Sequence, residues 1–307
     1  MDTSRNILVT GASGFVGAQL VPLLLQRGHR VTVVTRSPEH LQRHAWSAVV
    51  TIVVGDLTDA NICEQAVVGM DVVLHLAGLA HVGASAEQHR QHNYLATQRL
   101  AQAAQRASVQ VFVYLSSCKA RYPAHSAYGY YKLASERFLL AQTESMRVVC
   151  LRPGVIYGQD MRNNLRTLWQ LLQRPVLPVF VGSTNTLCMI GVGDCCRAVV
   201  AAMEQSALAG QAWDLTDGER YTLNALVGRI RQARQLPLPW LNLPAPLVWP
   251  VFALASLIPA LRRRGLGLNT WRALFRENYP VDNRFAEASG VWPATTLYQI
   301  MPNLSDS

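Results

Sequence analysis

Along the first 155 residues, short runs of apolar residues alternate with stretches whose apolar positions recur every three to four residues. The runs at 6–10 (NILVT), 30–35 (RVTVVT), 49–54 (VVTIVV), 72–76 (VVLHL), 109–115 (VQVFVYL) and 147–151 (RVVCL) read as strands. Helical periodicity fills 15–27, 60–68, 86–106 and 128–142. Strands that are apolar without alternation are buried on both faces, as in a parallel sheet covered by helices. Right-handed crossovers then give an α/β, Rossmann-type doubly wound sheet. The expected division is a dinucleotide-binding domain over 1–157 and a smaller, mostly helical substrate lobe over 158–307. A run at 212–215 (AWDL) is expected to return to the sheet.

After residue 158 the pattern weakens. Residues 235–261 contain no charged side chain and are followed by Arg262, Arg263 and Arg264. Six prolines interrupt this stretch and leave only 249–258 as a helical run, too short to cross a membrane. The expectation is a buried or interface helix of the lobe. The alternative is a surface patch whose arginines meet anionic headgroups.

Half of the 307 residues are hydrophobic, which excludes a disordered chain. The net charge of +9 comes from 28 basic and 19 acidic residues, and only Lys119 and Lys132 among the basic ones are lysines. No nucleic-acid motif accompanies the charge, so anionic small molecules are the expected partners and nucleic acid is not. The six cysteines lack metal-ligand spacing and read as reduced core thiols. A strand that begins by Ile7 leaves no room for a signal peptide, which implies a cytoplasmic protein, with the inner membrane surface as the alternative.

The first strand runs into Gly11-Ala12-Ser13-Gly14-Phe15-Val16-Gly17 and then a helix. In that setting Gly11 makes the tight turn, Gly14 admits a pyrophosphate and Gly17 lets helix and strand pack closely. The helix N-terminus then holds the anion through free N–H groups and its dipole. At the end of the second strand, where NAD-binding chains carry an acid for the ribose 2′-hydroxyl, this chain has Thr35 followed by Arg36. Arg36 can pair with a 2′-phosphate, so NADP is the expected cofactor, with NAD as the alternative.

The GxxGxxG spacing resembles the extended short-chain dehydrogenase/reductase family, whose members mostly act on nucleotide sugars, and further motifs follow in that family's order. Asp56-Leu57, in Gly55-Asp56-Leu57-Thr58-Asp59, is similar to the acidic turn that binds adenine. Leu76-Ala77-Gly78 is similar to the stretch beside the adenosine ribose, and Asn93 to the central-helix asparagine. Pro153 and Val155, in Leu151-Arg152-Pro153-Gly154-Val155-Ile156-Tyr157-Gly158, match the segment near the nicotinamide. By the same resemblance Ser13, Phe15 and Val16 belong to the cofactor loop.

Tyr128 and Lys132 form the family's YxxxK and share a helix face. A phenol with a pKa near ~10 shuttles protons poorly at neutral pH, and a fixed ammonium together with the charge of the oxidised nicotinamide lowers it towards the working range. The resemblance also gives Lys132 a ribose contact. Ser117, at the end of the fifth strand, is expected to orient the substrate oxygen, with Ser116 as a backbone-positioning neighbour. Family dehydratases place an Asp-Glu pair after this serine. Cys118 and Lys119 stand there instead, which argues against dehydration and makes Lys119 a substrate-site candidate. Only 11 positions separate Ser117 from Tyr128, fewer than in most relatives. The family's diphosphate arginine has no evident match, so Arg162, Arg166 and Arg272 are the candidates. His81, His89 and His92 have only Glu87 nearby and no cysteine to complete a metal set, so they read as surface histidines.

These features imply an NADP-dependent oxidoreductase acting on a nucleoside-diphosphate sugar, with 4-keto-sugar reduction ahead of 4-epimerisation. A non-catalytic NADPH-binding sensor or assembly factor, and a reductase of a hydrophobic ketone, are the other readings. A homodimer and a peripheral membrane contact remain open at this point.

Overall fold

The structure is a computed structural model that describes residues 4–80, 84–159, 179–181, 185–233, 235, 242–258 and 267–301. Arg162, Arg166, Arg262, Arg263, Arg264 and His81 lie outside the described residues.

Seven strands form one sheet: β1 (Asn6–Thr10), β2 (Arg30–Thr35), β3 (Thr51–Val54), β4 (Val72–His75), β5 (Val111–Leu115), β6 (Arg147–Pro153) and β7 (Gln211–Leu215). Their order is β7-β6-β5-β4-β1-β2-β3, and every neighbouring pair is parallel. β1 lies at the centre, with Ile7 in register with Val31 on one side and Val72 on the other. Connections leave β1 towards β2 and reach β4 from the far side, so the chain reverses direction beside β1 and opens a crevice at the strands' carboxyl ends. The expected return of the 212–215 run is present as β7, paired with β6.

Each face carries its own apolar layer. Ile7, Val9, Leu74 and Val113 point to one side, packed by α1 (Gly17–Gln26) and, later in the chain, by a helix at Val192–Glu204. Leu8, Val73, Phe112 and Val148 point to the other, covered by α2 (Ala60–Val67) and by the helical segments described next. This alternation of two apolar faces is why the strands read as uninterrupted apolar runs.

The expected helix at 86–106 is three pieces: α3 (Ala86–His89), a π-helical segment Arg90–Leu95, and α4 (Ala96–Arg106). Ser85 starts it with a capping box. α5 spans Ala127–Leu140 and α6 is the Val192–Glu204 helix. The remaining lobe has short strand pairs, Val155–Tyr157 with Met189–Gly191 and Tyr221–Thr222 with Thr186–Leu187, around a core containing Tyr157, Tyr221 and Trp271.

The charge-free stretch, expected as a buried or interface helix, folds a helix at Trp249–Leu257 that packs on the lobe through Phe252 but is not buried: Val251, Leu254 and Leu257 are 63%, 65% and 76% exposed. Of its residues only Ala255 is buried.

Candidate active site

The glycine loop follows from steric need. Gly11 has φ +73°, and a Cβ there would lie 2.7 Å from the Ala77 amide nitrogen. A Cβ on Gly17 would come within 2.3 Å of the Gly11 carbonyl oxygen, so only glycine lets α1 start this close to β1. Gly14 donates its N–H to the same carbonyl at 3.0 Å. No side chain caps α1; the Ala18 and Gln19 amides donate to the Gly14 and Val16 carbonyls at 2.9 and 3.1 Å, and the positive end of the helix dipole faces the loop. Phe15 and Val16 face inward and pack with the core layers, and Val16 gives its carbonyl to the Cys196 thiol.

The adenosine side is set by β2 and β3. The Thr35 hydroxyl and Ser37 backbone hold each other at 3.2 Å, which directs Arg36 outward. Its guanidinium lies 3.5 Å from Asp56. Burial pushes the Asp56 carboxyl up, but hydrogen bonds from Thr58 and the Arg36 charge outweigh this and hold it below the usual carboxylate range. Leu57 is half-buried and packs against the core layer beside Cys63. A second arginine, Arg43, donates to the Ser13 carbonyl at 3.0 Å, which the sequence reading missed.

A buried polar chain anchors Leu76, Ala77 and Gly78. Thr10 Oγ1 meets His75 Nδ1 at 2.7 Å and accepts from the Ala77 amide at 3.1 Å, while His75 Nε2 meets Thr97 Oγ1 at 2.9 Å. Burial pushes the His75 pKa down to about 3, so this ring is a neutral linker. Asn93 is buried in the π-helical segment, where its side chain accepts from the Leu79 amide at 2.6 Å and donates to the Leu79 carbonyl at 2.9 Å. Its carbonyl accepts from Thr97 and Ser135 hydroxyls. π-helical turns of this kind concentrate at functional sites.

Tyr128, Lys132 and Ser117 converge at the ends of β5 and α5. Ser117 ends the strand and caps a 3-10 turn, Cys118–Arg121, which leads through Pro123–His125 directly into α5. This compact path explains the short spacing. It depends on Gly129, where a Cβ would lie 2.5 Å from the Lys119 carbonyl oxygen. The Ser117 hydroxyl bonds the Tyr128 phenol in a way that favours phenolate, but burial outweighs it and pushes the tyrosine up to about 12. Lys132, which together with the oxidised nicotinamide's charge is expected to oppose this, has its Nζ 6.0 Å from the Tyr128 ring and donates to the Leu115 carbonyl at 2.7 Å. Lys132 is itself buried, and desolvation pushes it down to about 8. A Cβ on Gly78 would sit 3.3 Å from Lys132 Nζ and 3.2 Å from Asn93 Oδ1, so this glycine opens the space where asparagine and lysine meet.

Ser116 behaves as a positioning residue. It donates to buried Glu136, which Arg152 holds with Nε at 2.9 Å, and its amide bonds the Leu151 carbonyl at 2.7 Å. Pro153 is buried at the end of β6 and Val155 is exposed beside it.

On the substrate side, Lys119 is held by Glu277, a buried acid that also accepts from Tyr279 at 2.5 Å and lies 3.3 Å from His125. Arg272 is half-buried, with its guanidinium 3.5 Å from the His125 carbonyl oxygen. The thiols of Cys118 and Cys188 hydrogen-bond each other, which lowers the Cys118 pKa and raises that of Cys188. All six cysteines are free and buried. His89 is corrected from surface to interior: it is buried, and its ring lies 5.7 Å from that of Tyr128.

The model of the NAD dependent epimerase/dehydratase family matches residues 7–215. A 3 beta-hydroxysteroid dehydrogenase/Delta 5-->4-isomerase of Mycobacterium tuberculosis is 35% identical over 201 residues, which cover 57% of this chain and 54% of that protein. The chain thus spans about half the length of that relative. The UDP-glucose 4-epimerase of Vibrio cholerae is 26% identical over 268 residues, 79% of each chain. Among solved structures, MoeE5 in complex with UDP-glucuronic acid and NAD superposes with a TM-score of 0.75 at 22% identity, covering 97% of both chains, and so shares the fold.

Proposed function

The chain belongs to the NAD dependent epimerase/dehydratase family, the extended short-chain dehydrogenases/reductases, and we propose that it reduces a nucleoside-diphosphate 4-keto-sugar with NADPH. Residues 1–157 are assigned to the cofactor and 158–307 to the sugar nucleotide. The observation that carries this reading is the convergence of Ser117, Tyr128 and Lys132 at the carboxyl end of β5. Tyr128 remains protonated well beyond neutral pH, the state a carbonyl reduction requires of its acid. Cys118 and the ion-paired Lys119 occupy the places where a dehydratase needs carboxylates.

The nicotinamide, when bound, supplies the hydride. The glycine loop and the N-terminal end of α1 would hold the pyrophosphate, Asp56 the adenine, and Arg36 a 2′-phosphate. Lys132 would hold the nicotinamide ribose, near Asn93. Ser117 donates to the substrate carbonyl oxygen and orients it, and Tyr128 transfers its phenolic proton to that oxygen as the carbon is reduced. Lys132 then stabilises the phenolate left behind. Arg272 is assigned to the diphosphate, because it borders the turn that delivers Tyr128. NAD, which the MoeE5 complex contains, is the alternative cofactor, and 4-epimerisation, the activity of the Vibrio cholerae relative, uses the same three side chains.

A second reading, reduction of a hydrophobic ketone, is favoured by the steroid dehydrogenase among the relatives and by the exposed apolar helix. NADPH oxidation against nucleoside-diphosphate 4-keto-sugars and, in parallel, steroid and long-chain ketones separates the two. Turnover confined to the apolar ketones overturns the sugar assignment. Accumulation of a 4-epimer from a 4-hydroxy-sugar without net cofactor consumption assigns epimerisation.

A further inference from the structure

We propose that the helix Trp249–Leu257, with the turn Ala245–Val248 before it, docks the protein on the surface of an anionic lipid bilayer. A helix that is apolar around its whole circumference is expected in a core or in lipid. This one is packed on one side only: Phe252 and Ala255, with Val248 of the turn, lie against the lobe, while Leu247 of the turn and Val251, Leu254 and Leu257 of the helix are each more than 60% exposed and Trp249 is 47% exposed. Its nine residues reach about 14 Å, which suits a helix lying in the interface plane and not one crossing it. Trp249 at one end has the amphipathic ring that favours the headgroup level.

Charge selects the partner. Between Arg220 and Arg276 the chain carries nine arginines and no acidic residue. The whole net charge of +9 therefore resides in this segment, and the rest of the chain is balanced. Arg220, Arg229 and Arg276 are exposed, whereas Arg231 is buried and does not belong to the surface charge. Arg276 stacks on Trp271 at 5.3 Å, at the end of the helix Leu268–Phe275 that packs against the apolar helix. A second copy of the chain on this face would set like charge against like charge. An anionic bilayer would instead neutralise the exposed arginines and take up the apolar side chains.

The test uses the full chain and reads vesicle binding, so it is independent of which ketone the enzyme reduces. Cosedimentation is measured with phosphatidylcholine vesicles, with and without about one third phosphatidylglycerol. Binding to the anionic vesicles should be at least ~10-fold stronger and should weaken at high salt. Leu254→Glu with Leu257→Glu should abolish it while NADPH affinity and melting temperature stay as in the parent. If those glutamates lower the melting temperature, Leu254→Ser with Leu257→Ser takes their place. Absence of binding to anionic vesicles overturns the proposal, as does binding that both pairs of substitutions leave intact. A parent that ignores vesicles but is a dimer, made monomeric by the same substitutions, assigns the face to a second copy instead.

Discussion

His89 and Tyr128 come from different helices, α3 and α5, yet their rings lie 5.7 Å apart at an angle of 59°. The histidine backs the phenol from the interior side of the crevice. Its Nδ1 also lies 3.1 Å from Asn93 Nδ2, so one ring links the tyrosine to the asparagine that holds Leu79. Burial pushes the His89 pKa below its ordinary value, which keeps the ring neutral at physiological pH.

His89→Ala removes this backing and leaves a hole beside Tyr128. Stability should fall by about 1–3 kcal/mol, as for other buried large-to-small changes with partial collapse. Turnover should fall about tenfold through misplacement of the phenol. His89→Phe restores the ring contact without the Asn93 contact, so recovery of turnover with Phe, read as kcat under saturating substrate, assigns the effect to packing.

Cofactor choice should depend on Arg36. Its contact with Asp56 is long and exposed, so the pair contributes little and the guanidinium is free to engage a 2′-phosphate. NADPH should bind more tightly than NADH by about 1.5–3 kcal/mol, the worth of a hydrogen bond to a charged group. Titration of both nucleotides by fluorescence checks this, and Arg36→Ala should make the two affinities equal. Tighter binding of NADH to the parent chain would reverse the assignment.

Gly129 should be as sensitive as the residues that face the crevice. A methyl group at 2.5 Å from the Lys119 carbonyl forces α5 away from the Ser117 turn. Gly129→Ala should therefore lower kcat by about 10–10²-fold by separating Tyr128 from Ser117, a displacement of under about an ångström being enough. Circular dichroism should show an intact fold, because β5 and the sheet do not depend on this contact.

How much of this was legible beforehand differs by residue for physical reasons. The GxxGxxG turn and the parallel, doubly wound sheet are local or periodic, and spacing carries such information, whereas the Ser117, Tyr128 and Lys132 assignment rested on the family resemblance. Gly129 was invisible because its role depends on the Lys119 carbonyl ten residues earlier, a contact between backbone atoms. Glu277 was missed because its partners Lys119 and His125 lie more than 150 positions away. His89 sits in a polar sequence, AEQHRQHN, that reads as surface, and its burial comes from contacts with Asn93 in the π-helical segment and with Tyr128 on α5, about 40 positions later. The direction of the Tyr128 shift needed burial, which no spacing supplies. The helix at 249–257 misled in the opposite sense: apolar composition implies burial only where a partner surface exists.

Lys132 should weaken the fold that it serves. Burial lowers its pKa from 10.5 to about 8. Between those values the unfolded chain holds a proton that the folded chain has released, so stability rises with pH across this window. Below about pH 8 the cost of the buried charge is present in full. Lys132→Met should accordingly raise stability at pH 7 by about 1–3 kcal/mol and remove the rise of melting temperature between pH 8 and 10. The same change should weaken NADPH binding and turnover together, because the ammonium serves both the ribose and the phenolate. A Met variant that is less stable at pH 7 would show that the bond to the Leu115 carbonyl outweighs desolvation.

Tyr128→Phe separates the proton from the ring. The phenylalanine keeps the contact with His89 and loses only the hydroxyl, whose partner is Ser117. Stability should change by about 1 kcal/mol or less, because the Ser117 hydroxyl retains the Lys119 amide as a donor at 3.3 Å. NADPH affinity should be unchanged, since Lys132 and the glycine loop remain. Turnover should fall by about 10²–10⁴-fold, the usual share of general acid–base catalysis. Ser117→Ala should cost less than this, because it orients the carbonyl without holding the transferred proton. With Tyr128 pushed up to about 12, the phenol is the proton donor throughout the neutral range, so kcat for ketone reduction should show no loss attributable to it up to pH 9. Oxidation of the corresponding alcohol needs the phenolate and should rise with pH over the same interval. A Phe variant that keeps near-parental turnover on an accepted substrate removes Tyr128 from the acid role. An equal loss of NADPH affinity and turnover would instead assign it to holding the cofactor.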